Sequence, residues 1–198
     1  VLLKRDGVLI CIVPFFMLFK LMKILKDYQK KVLQDFFFTE GIIELDEAYF
    51  IEKIKKGVEE KNNLSCKTNI IGLMTDWEYF LNDVYFLDIT KKFVDIVDAN
   101  NNLPKYRLQS AWGYGLQKGD YTQNHNHGSC VWSGVIYFNE HNQTLDFDEI
   151  KVKVKPEKGK FALFSPFLNH KSSRHFEDNV KWGISFNFGE VSFENKIF

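Results

Sequence analysis

Two of the five histidines in the chain stand two positions apart, at 125 and 127, just before an apolar run that begins at Val131. In an extended strand, residues i and i+2 point to the same face, so two such imidazoles could bind one side of a metal ion. A third imidazole from a neighbouring strand would complete a three-ligand site that leaves other coordination positions free. His170 is the candidate, because the stretch 159–170 can return the chain beside the pair. The alternative is that all three are polar loop residues that bind nothing.

The remaining histidines and one lysine complete the set of candidates. His141 lies in the polar turn "NEHNQ" and is predicted to be exposed to solvent. His175, five residues after His170, is predicted to face the other side of a strand and is the alternative third ligand. Lys181 begins the next predicted strand and could bring a cation to a carboxylate bound near the metal. It could equally be a surface lysine.

The composition limits the class of protein. The 198 residues suit one domain with a substantial core. With 26 basic and 26 acidic residues the net charge is zero, which argues against nucleic acid or an anionic membrane surface as a partner. Twenty phenylalanines suit a β-rich core. Three widely separated cysteines indicate no disulfide framework and favour a reducing, cytoplasmic location.

The N-terminal part carries an apolar run at 8–19 that follows Lys4 and Arg5, as in a signal peptide. No small-residue cleavage site follows, and the run is too short to span a bilayer. Three interpretations remain open: an incidental upstream extension with Met17 or Met22 as the true start, an interfacial anchor, or a helix packed on the domain. We therefore predict an extension at 1–33 and a single domain at 34–198.

Hydrophobic periodicity predicts helices first and strands afterwards. Residues 21–35 show near-helical apolar spacing, 36–45 are typical of a strand interrupted by Gly41, and two further helices are predicted, one after a possible N-cap at Asp46 and one over about 78–98. From Tyr106 onward, short β-rich runs alternate with turns, which predicts a sandwich or barrel. The predicted fold class is α+β, with two facing antiparallel sheets and the helices of 21–98 covering one of them. Five residues are predicted to be buried: Trp112, Val135, Phe161, Leu163 and Phe186.

The motifs form an ordered set. Trp112 and Gly119 precede the H-x-H pair at 125 and 127, and "SGVIYF" (133–138), "GKFALFSPFLNH" (159–170) and "KWGISFN" (181–187) follow it. In this order they resemble the Fe(II)/2-oxoglutarate-dependent oxygenases, above all a small branch of predicted oxygenases from marine bacteria and their phages. The resemblance covers about 34–188.

The resemblance implies a double-stranded β-helix, a jelly-roll barrel with helices packed outside. It implies Fe(II) held by His125, His127 and His170, 2-oxoglutarate as cosubstrate, and hydroxylation of an unidentified substrate without a further acid or base. His127 stands where the family usually has a carboxylate ligand. Lys181 stands where an arginine usually anchors the distal carboxylate of 2-oxoglutarate, and Arg174 is the alternative anchor.

Two further features of the anchor follow from the same resemblance. Gly183 replaces the serine that often assists the anchoring arginine. Tyr137 or Tyr121 could instead donate a hydroxyl to that carboxylate, and lysine keeps the positive charge while losing the bidentate geometry of arginine.

Two other classes of protein compete with the oxygenase. "GDYTQNHNH" also fits the G-x5-H-x-H opening of the cupins, which bind metal without 2-oxoglutarate. The glutamate expected there would fall at Val131 or Trp132, and the second cupin motif is missing around His170. The third class is a non-catalytic β-rich binding module. The sequence names no substrate and leaves a homodimer open.

Overall fold

The computed structural model describes residues 2–5, 8–11, 22–31, 35–60 and 68–191. In these ranges the chain forms four N-terminal strands, then two α-helices that flank two small strands, and then a series of strands. The strands are β1 (Leu2–Arg5), β2 (Val8–Cys11), β3 (Met22–Lys31), β4 (Asp35–Ile43), β5 (Ile70–Ile71), β6 (Leu73–Met74), β7 (Tyr106–Leu116), β8 (Tyr121–His125), β9 (Trp132–Tyr137), β10 (Leu145–Phe147), β11 (Val152–Val154), β12 (Lys160–Phe164), β13 (His170–Ser172) and β14 (Lys181–Glu190). The helices are α1 (Glu47–Glu60) and α2 (Val84–Asn100).

Two antiparallel sheets make up the body of the protein. The larger sheet has the order β3-β4-β12-β9-β14-β7-β6, and the smaller sheet has the order β11-β10-β13-β8-β5. The strands β1 and β2 form a separate hairpin. The prediction of two antiparallel sheets is therefore confirmed.

Alternation along the strands of the larger sheet separates two apolar cores. In β12, Phe161 and Leu163 pack with the helices, whereas Ala162 and Phe164 face the smaller sheet. Side chains of consecutive strand residues point to opposite faces, so one strand serves both cores. The prediction that helices cover one sheet is confirmed for α1 and α2. All five residues predicted to be buried are buried: Trp112, Val135, Phe161, Leu163 and Phe186.

Aromatic side chains fix α2 against the larger sheet. Phe93 of α2 stacks on Phe186 of β14 with a centroid distance of 5.6 Å, and it lies 4.7 Å from Phe161 of β12. Phe86 meets the same Phe186 edge to face at 5.6 Å. This packing anchors β14, the strand that begins with Lys181.

One aspartate ties the two helices together. The carboxylate of Asp83 caps α2 by accepting from the Phe86 N–H at 2.8 Å, and it accepts the Tyr49 hydroxyl of α1 at 2.6 Å. Lys53 of α1 pairs with the same carboxylate. Asp83 itself is buried, and without its carboxylate the buried Phe86 N–H would lose its acceptor and the partly buried Tyr49 hydroxyl would lose its partner.

We expect Asp83→Ala to lower the free energy of unfolding by about 2–4 kcal/mol, because it removes a helix cap, the partly buried hydrogen bond from the Tyr49 hydroxyl and the ion pair with Lys53. Asp83→Asn keeps an oxygen for the cap but not the charge, and should lose clearly less. Urea titration measures both variants. A loss within about 0.5 kcal/mol for the alanine variant, the range of ordinary surface substitutions, would contradict this role.

Two predictions of local structure are wrong. The helix predicted at 21–35 is strand β3 over residues 22–31, paired with β4. An isolated helix of this length is marginal in water, whereas pairing satisfies the backbone edge of β4. The β-rich run "TLDFDEIKVKV" (144–154) predicts one strand, but it is broken by a 3₁₀ turn at Asp148–Ile150 and by Lys151, which adopts a left-handed φ of 57°. The chain therefore folds back there as a hairpin.

The apolar run at 8–19 lies mostly outside the described residues, which include only 8–11 of it. Its proposed roles, and the division at 33/34, stay predictions. No helix among the described residues has both the length and the apolar character needed to cross a bilayer.

Candidate metal centre

Three histidines converge where β8 and β13 lie side by side. His125 is the last residue of β8 and is the register partner of His170, the first residue of β13. His127 lies in the turn after β8, held by a 2.7 Å hydrogen bond from its backbone N–H to the Pro166 carbonyl. One candidate ligand atom from each imidazole lies within 4.8 Å of the other two, and the Nε2 atoms of His127 and His170 are 3.3 Å apart. The structure thus brings together the three residues that the sequence singled out.

Backbone carbonyls orient two of these rings. Nδ1 of His125 lies 2.8 Å from the Gln123 carbonyl, and Nδ1 of His170 lies 3.0 Å from the Leu168 carbonyl. A carbonyl oxygen only accepts, so Nδ1 carries the proton in each ring and Nε2 keeps its lone pair. This is the usual orientation of histidines that bind a metal.

Burial keeps the three rings neutral. It lowers the pKa of His125, and together with the neighbouring His125 it lowers the pKa of His127 to about 4. Burial and both neighbours lower the pKa of His170 well below its usual value. Imidazoles must be neutral to bind a metal, so the site holds its ligands in the required state near neutral pH.

A cavity of about 280 Å³ opens beside the histidines, between the two sheets. Among the described residues that line it, Lys181 alone carries a formal charge. Besides the histidines and Lys181, its wall has polar and aromatic residues that include Trp77, Trp112, Tyr114, Tyr137, Ser185 and Asn187. A single cation in an otherwise uncharged cavity suits an anionic group bound beside a metal.

Lys181 is 2% exposed. Its Nζ donates to the Gln143 carbonyl at 3.3 Å and lies 5.9 Å from the centroid of the Tyr137 ring. Burial lowers the pKa of the ammonium to about 7. Lys181 is thus a buried amine with a lowered pKa that forms no ion pair with a carboxylate among the described residues, which is typical of a binding site.

The other two candidates for the anchor lie together, apart from the residues that line the cavity. Arg174 is exposed, and its Nη1 donates to the Gly119 carbonyl at 3.2 Å. Its guanidinium lies 4.9 Å from the centroid of the Tyr121 ring. The geometry therefore favours Lys181 and Tyr137 over Arg174 and Tyr121.

Tyr114 is a cavity residue that the sequence analysis missed. Gly183 of β14 lies in register between Tyr114 of β7 and Tyr137 of β9. A Cβ atom on Gly183 would come within 2.7 Å of the Tyr114 hydroxyl, which hydrogen-bonds with Tyr137. The Tyr114 hydroxyl thus occupies the space that a serine at 183 would fill. The sequence offered one signal for Tyr114: it stands two residues after Trp112 in a predicted strand, so both side chains point to the same face.

We expect Gly183→Ser to lower the free energy of unfolding by about 1–3 kcal/mol, because the added atoms overpack this site. Tyr114→Phe in the same chain should relieve part of the loss by removing the crowded oxygen. Gly128→Ser is the matched control, since its nearest contact would be an ordinary 3.6 Å. Thermal or urea unfolding measures all three. Equal stability of the two serine variants would refute the steric account.

His141 and His175 take no part in the histidine cluster. His141 is 3% exposed, so the prediction of an exposed turn residue is wrong. The turn folds inward because the Asn139 side chain donates to the Val180 carbonyl at 3.0 Å and accepts from the Trp182 N–H at 2.9 Å. His175 is fully buried and packs against His141, so it is His170 that joins the pair at 125 and 127.

Burial of Lys181 makes the stability of the metal-free protein depend on pH. The pKa of Lys181 is about 7 in the folded chain against its ordinary value of 10.5, so between these values the unfolded chain holds one more proton. The free energy of unfolding should therefore rise with pH across this window, by up to about 1.4 kcal/mol per pH unit. Urea titrations at about pH 6.5 and about pH 8.5 should show the wild type gaining stability relative to Lys181→Met. Parallel behaviour of the two proteins would contradict a lowered pKa.

No protein-family model matches the chain. No curated protein matches its sequence either. Solved structures do match its fold. The viral collagen prolyl hydroxylase of Paramecium bursaria Chlorella virus-1, in complex with 2-oxoglutarate, is 16% identical with a TM-score of 0.62, covering 78% of this chain and 96% of its own.

Two bacterial structures extend this result. The prolyl-4-hydroxylase of Pseudomonas putida is 13% identical with a TM-score of 0.57, covering 78% of this chain and 93% of its own. HygX of Streptomyces hygroscopicus, with nickel and 2-oxoglutarate bound, is 11% identical with a TM-score of 0.52, covering 79% and 84%. The chain therefore has the fold of the Fe(II)/2-oxoglutarate-dependent oxygenases.

Proposed function

We propose that this protein is an Fe(II)/2-oxoglutarate-dependent oxygenase that hydroxylates its substrate. One observation carries the proposal: three neutral imidazoles and one buried lysine line the same cavity. The imidazoles suit a divalent metal with open coordination positions, and the lysine suits the distal carboxylate of a dicarboxylate bound to that metal. The shared fold supports the same reading, and the HygX structure holds nickel together with 2-oxoglutarate.

The two sheets are proposed to form a double-stranded β-helix, with α1 and α2 outside it. In this proposed architecture the short strands β8 and β13, which carry His125 and His170, would lie opposite β14, which carries Lys181; all three residues line the same cavity. Ligands from one sheet and the anchor from the other can then act on the same small molecule. Membership of the branch from marine bacteria and phages stays a prediction from the motif alone.

Six residues of the cavity have a proposed role. His125, His127 and His170 would hold Fe(II), which supplies the activation of oxygen when it is bound with 2-oxoglutarate. The Lys181 ammonium pairs with the distal carboxylate. The Tyr137 hydroxyl, linked to that of Tyr114, is placed to donate to the same group. Lys181 and Tyr137 are buried, so the inner wall of the cavity would keep water away from the bound carboxylate, and no other acid or base is required of the chain.

Anaerobic titration tests the proposal. Fe(II) is added to the metal-free protein and then 2-oxoglutarate, and the visible spectrum is recorded. We expect a charge-transfer band only when both are present. A protein that binds Fe(II) but does not respond to 2-oxoglutarate would favour the cupin-like alternative. A protein that binds no metal would favour a non-catalytic binding module.

The residues after the histidine pair speak against the cupin-like alternative. Its expected glutamate would fall at Val131 or Trp132, and Trp132 is fully buried in the core under the helices.

The substrate is proposed to be a small molecule or a peptide. A cytoplasmic location, the absence of a nucleic-acid partner and a homodimer stay predictions.

A further inference from the structure

A second histidine pair is buried near Lys181, apart from the residues that line the cavity. His141 is 3% exposed and His175 is fully buried, and their ring centroids are 4.0 Å apart. Neither ring belongs to the cluster of His125, His127 and His170. Burying two imidazoles next to a lysine costs folding free energy unless their polar atoms have partners, so the contacts of both rings bear on their role.

One hydrogen bond fixes the tautomer of His141. Its Nδ1 accepts from the Gln143 N–H at 2.9 Å, so Nδ1 holds the lone pair and Nε2 holds the proton. Nε2 lies 3.2 Å from a carboxylate oxygen of Glu177, although without the angle of a hydrogen bond. Burial, and after it the neighbouring His175, lowers the pKa of His141 to about 4, so the ring stays neutral and keeps its acceptor.

Gln143 connects this ring to Lys181. Its N–H donates to His141, and its carbonyl accepts from the Lys181 ammonium at 3.3 Å. Its side chain donates to the carbonyls of Asp120 and Ser173, which holds the residue between two loops. Among the described residues, the Gln143 carbonyl is the one hydrogen-bond acceptor of Lys181 Nζ. The position of the ammonium therefore depends on the position of this carbonyl.

We propose that His141 is a positioning residue: through the main chain of Gln143 it sets where the Lys181 ammonium stands, and hence the affinity for 2-oxoglutarate. This inference rests on the proposed function of the cavity. A lysine side chain has a flexible stem and freely rotating donors, unlike the rigid fork of arginine. A fixed acceptor behind the ammonium supplies the orientation that the stem lacks, and small displacements of a binding group have large effects.

Two near-isosteric variants separate positioning from packing. His141→Asn keeps an acceptor oxygen close to the place of Nδ1, whereas His141→Gln places its amide near Nε2 and loses that acceptor. In the Fe(II)-loaded protein under anaerobic conditions, we expect the Kd for 2-oxoglutarate to rise about 10-fold in the Gln variant. The Asn variant should stay within about twofold of the wild type, on the same scale. The affinity for Fe(II) should be unchanged in both.

A second measurement needs neither metal nor cosubstrate. In metal-free protein with ¹³Cε-labelled lysine, the Lys181 signal is assigned by its disappearance in Lys181→Met. We expect this signal to move in His141→Gln and to stay in place in His141→Asn. If His141→Gln does not fold, His141→Leu makes the same comparison, because it fills the buried site and also lacks the acceptor.

The outcomes are distinguishable. If the wild type binds 2-oxoglutarate and the Gln or Leu variant binds it equally well with an unmoved Lys181 signal, His141 is a packing residue and the inference is overturned. If both the Asn and Gln variants weaken binding alike, the acceptor at Nδ1 is not the cause, and the inference also fails. If the wild type shows no band with 2-oxoglutarate, the proposed function fails, and the lysine spectra alone decide whether His141 positions Lys181.

Discussion

His127→Ala is expected to lower the affinity for Fe(II) by at least about 100-fold, because loss of a direct ligand should exceed the 10- to 100-fold effect of losing an outer-shell partner. His127→Asp should retain the metal, since two imidazoles and one carboxylate form the usual facial set for Fe(II). Binding can be followed by competition with a coloured chelator. With the metal lost, the visible band with 2-oxoglutarate should disappear in the alanine variant.

His175→Ala is the matched control for this experiment, because it also removes a buried imidazole but lies outside the cluster. Its affinity for Fe(II) should match that of the wild type, even where the cavity left behind lowers stability. Equal loss of metal in His127→Ala and His175→Ala would mean that the effect comes from folding. A metal site unaffected by His127→Ala would remove His127 from the ligand set.

Lys181→Ala is expected to weaken the binding of 2-oxoglutarate about 10- to 150-fold, because one charge-assisted hydrogen bond contributes about 1.5–3 kcal/mol. The affinity for Fe(II) should be nearly unchanged, since the lysine is not a ligand. Titration of the anaerobic Fe(II) protein with 2-oxoglutarate measures the Kd. Lys181→Arg should retain part of the binding, to the extent that the cavity admits the larger guanidinium.

Arg174→Ala serves as the control for the loss of a basic residue. Its guanidinium is exposed over Tyr121, apart from the residues that line the cavity, so the Kd for 2-oxoglutarate should stay close to that of the wild type. An effect of Arg174→Ala as large as that of Lys181→Ala would transfer the anchor to Arg174. No effect of either, in a protein that still binds iron, would favour the cupin-like alternative.

The parts of the site that lie on strands could be predicted from the sequence. Strand periodicity and the apolar stretch after residue 159 were enough to select His125 and His170, which turned out to be register partners. His127 was selected with them, although it lies past the end of β8, where a hydrogen bond to Pro166 rather than strand alternation positions it. The sequence pattern therefore correctly placed His127 beside His125, but strand alternation is not what positions it.

Features that depend on long-range packing could not be predicted. His141 was expected to be exposed because its turn is polar, but hydrogen bonds from Asn139 to residues 180 and 182 draw that turn inward. The strand at 22–31 depends on the open edge of β4, which apolar spacing within 21–35 does not reveal. The Tyr114 hydroxyl has room in the cavity wall because Gly183, its register partner on β14, has no side chain. In each case the deciding partner is distant in sequence.

The smaller sheet has a consequence for local opening. Its strands have two to five residues, and β10 and β13 meet through a single register pair, Asp146 with Lys171. The larger sheet, by contrast, joins β14 to β7 over ten residues. Strands with so few shared hydrogen bonds open well below the energy of global unfolding, so amide hydrogens in β8 and β13 should exchange early. A ligand bound to residues of both strands would stabilise their pairing, so slower exchange of these amide hydrogens would report that the site is occupied.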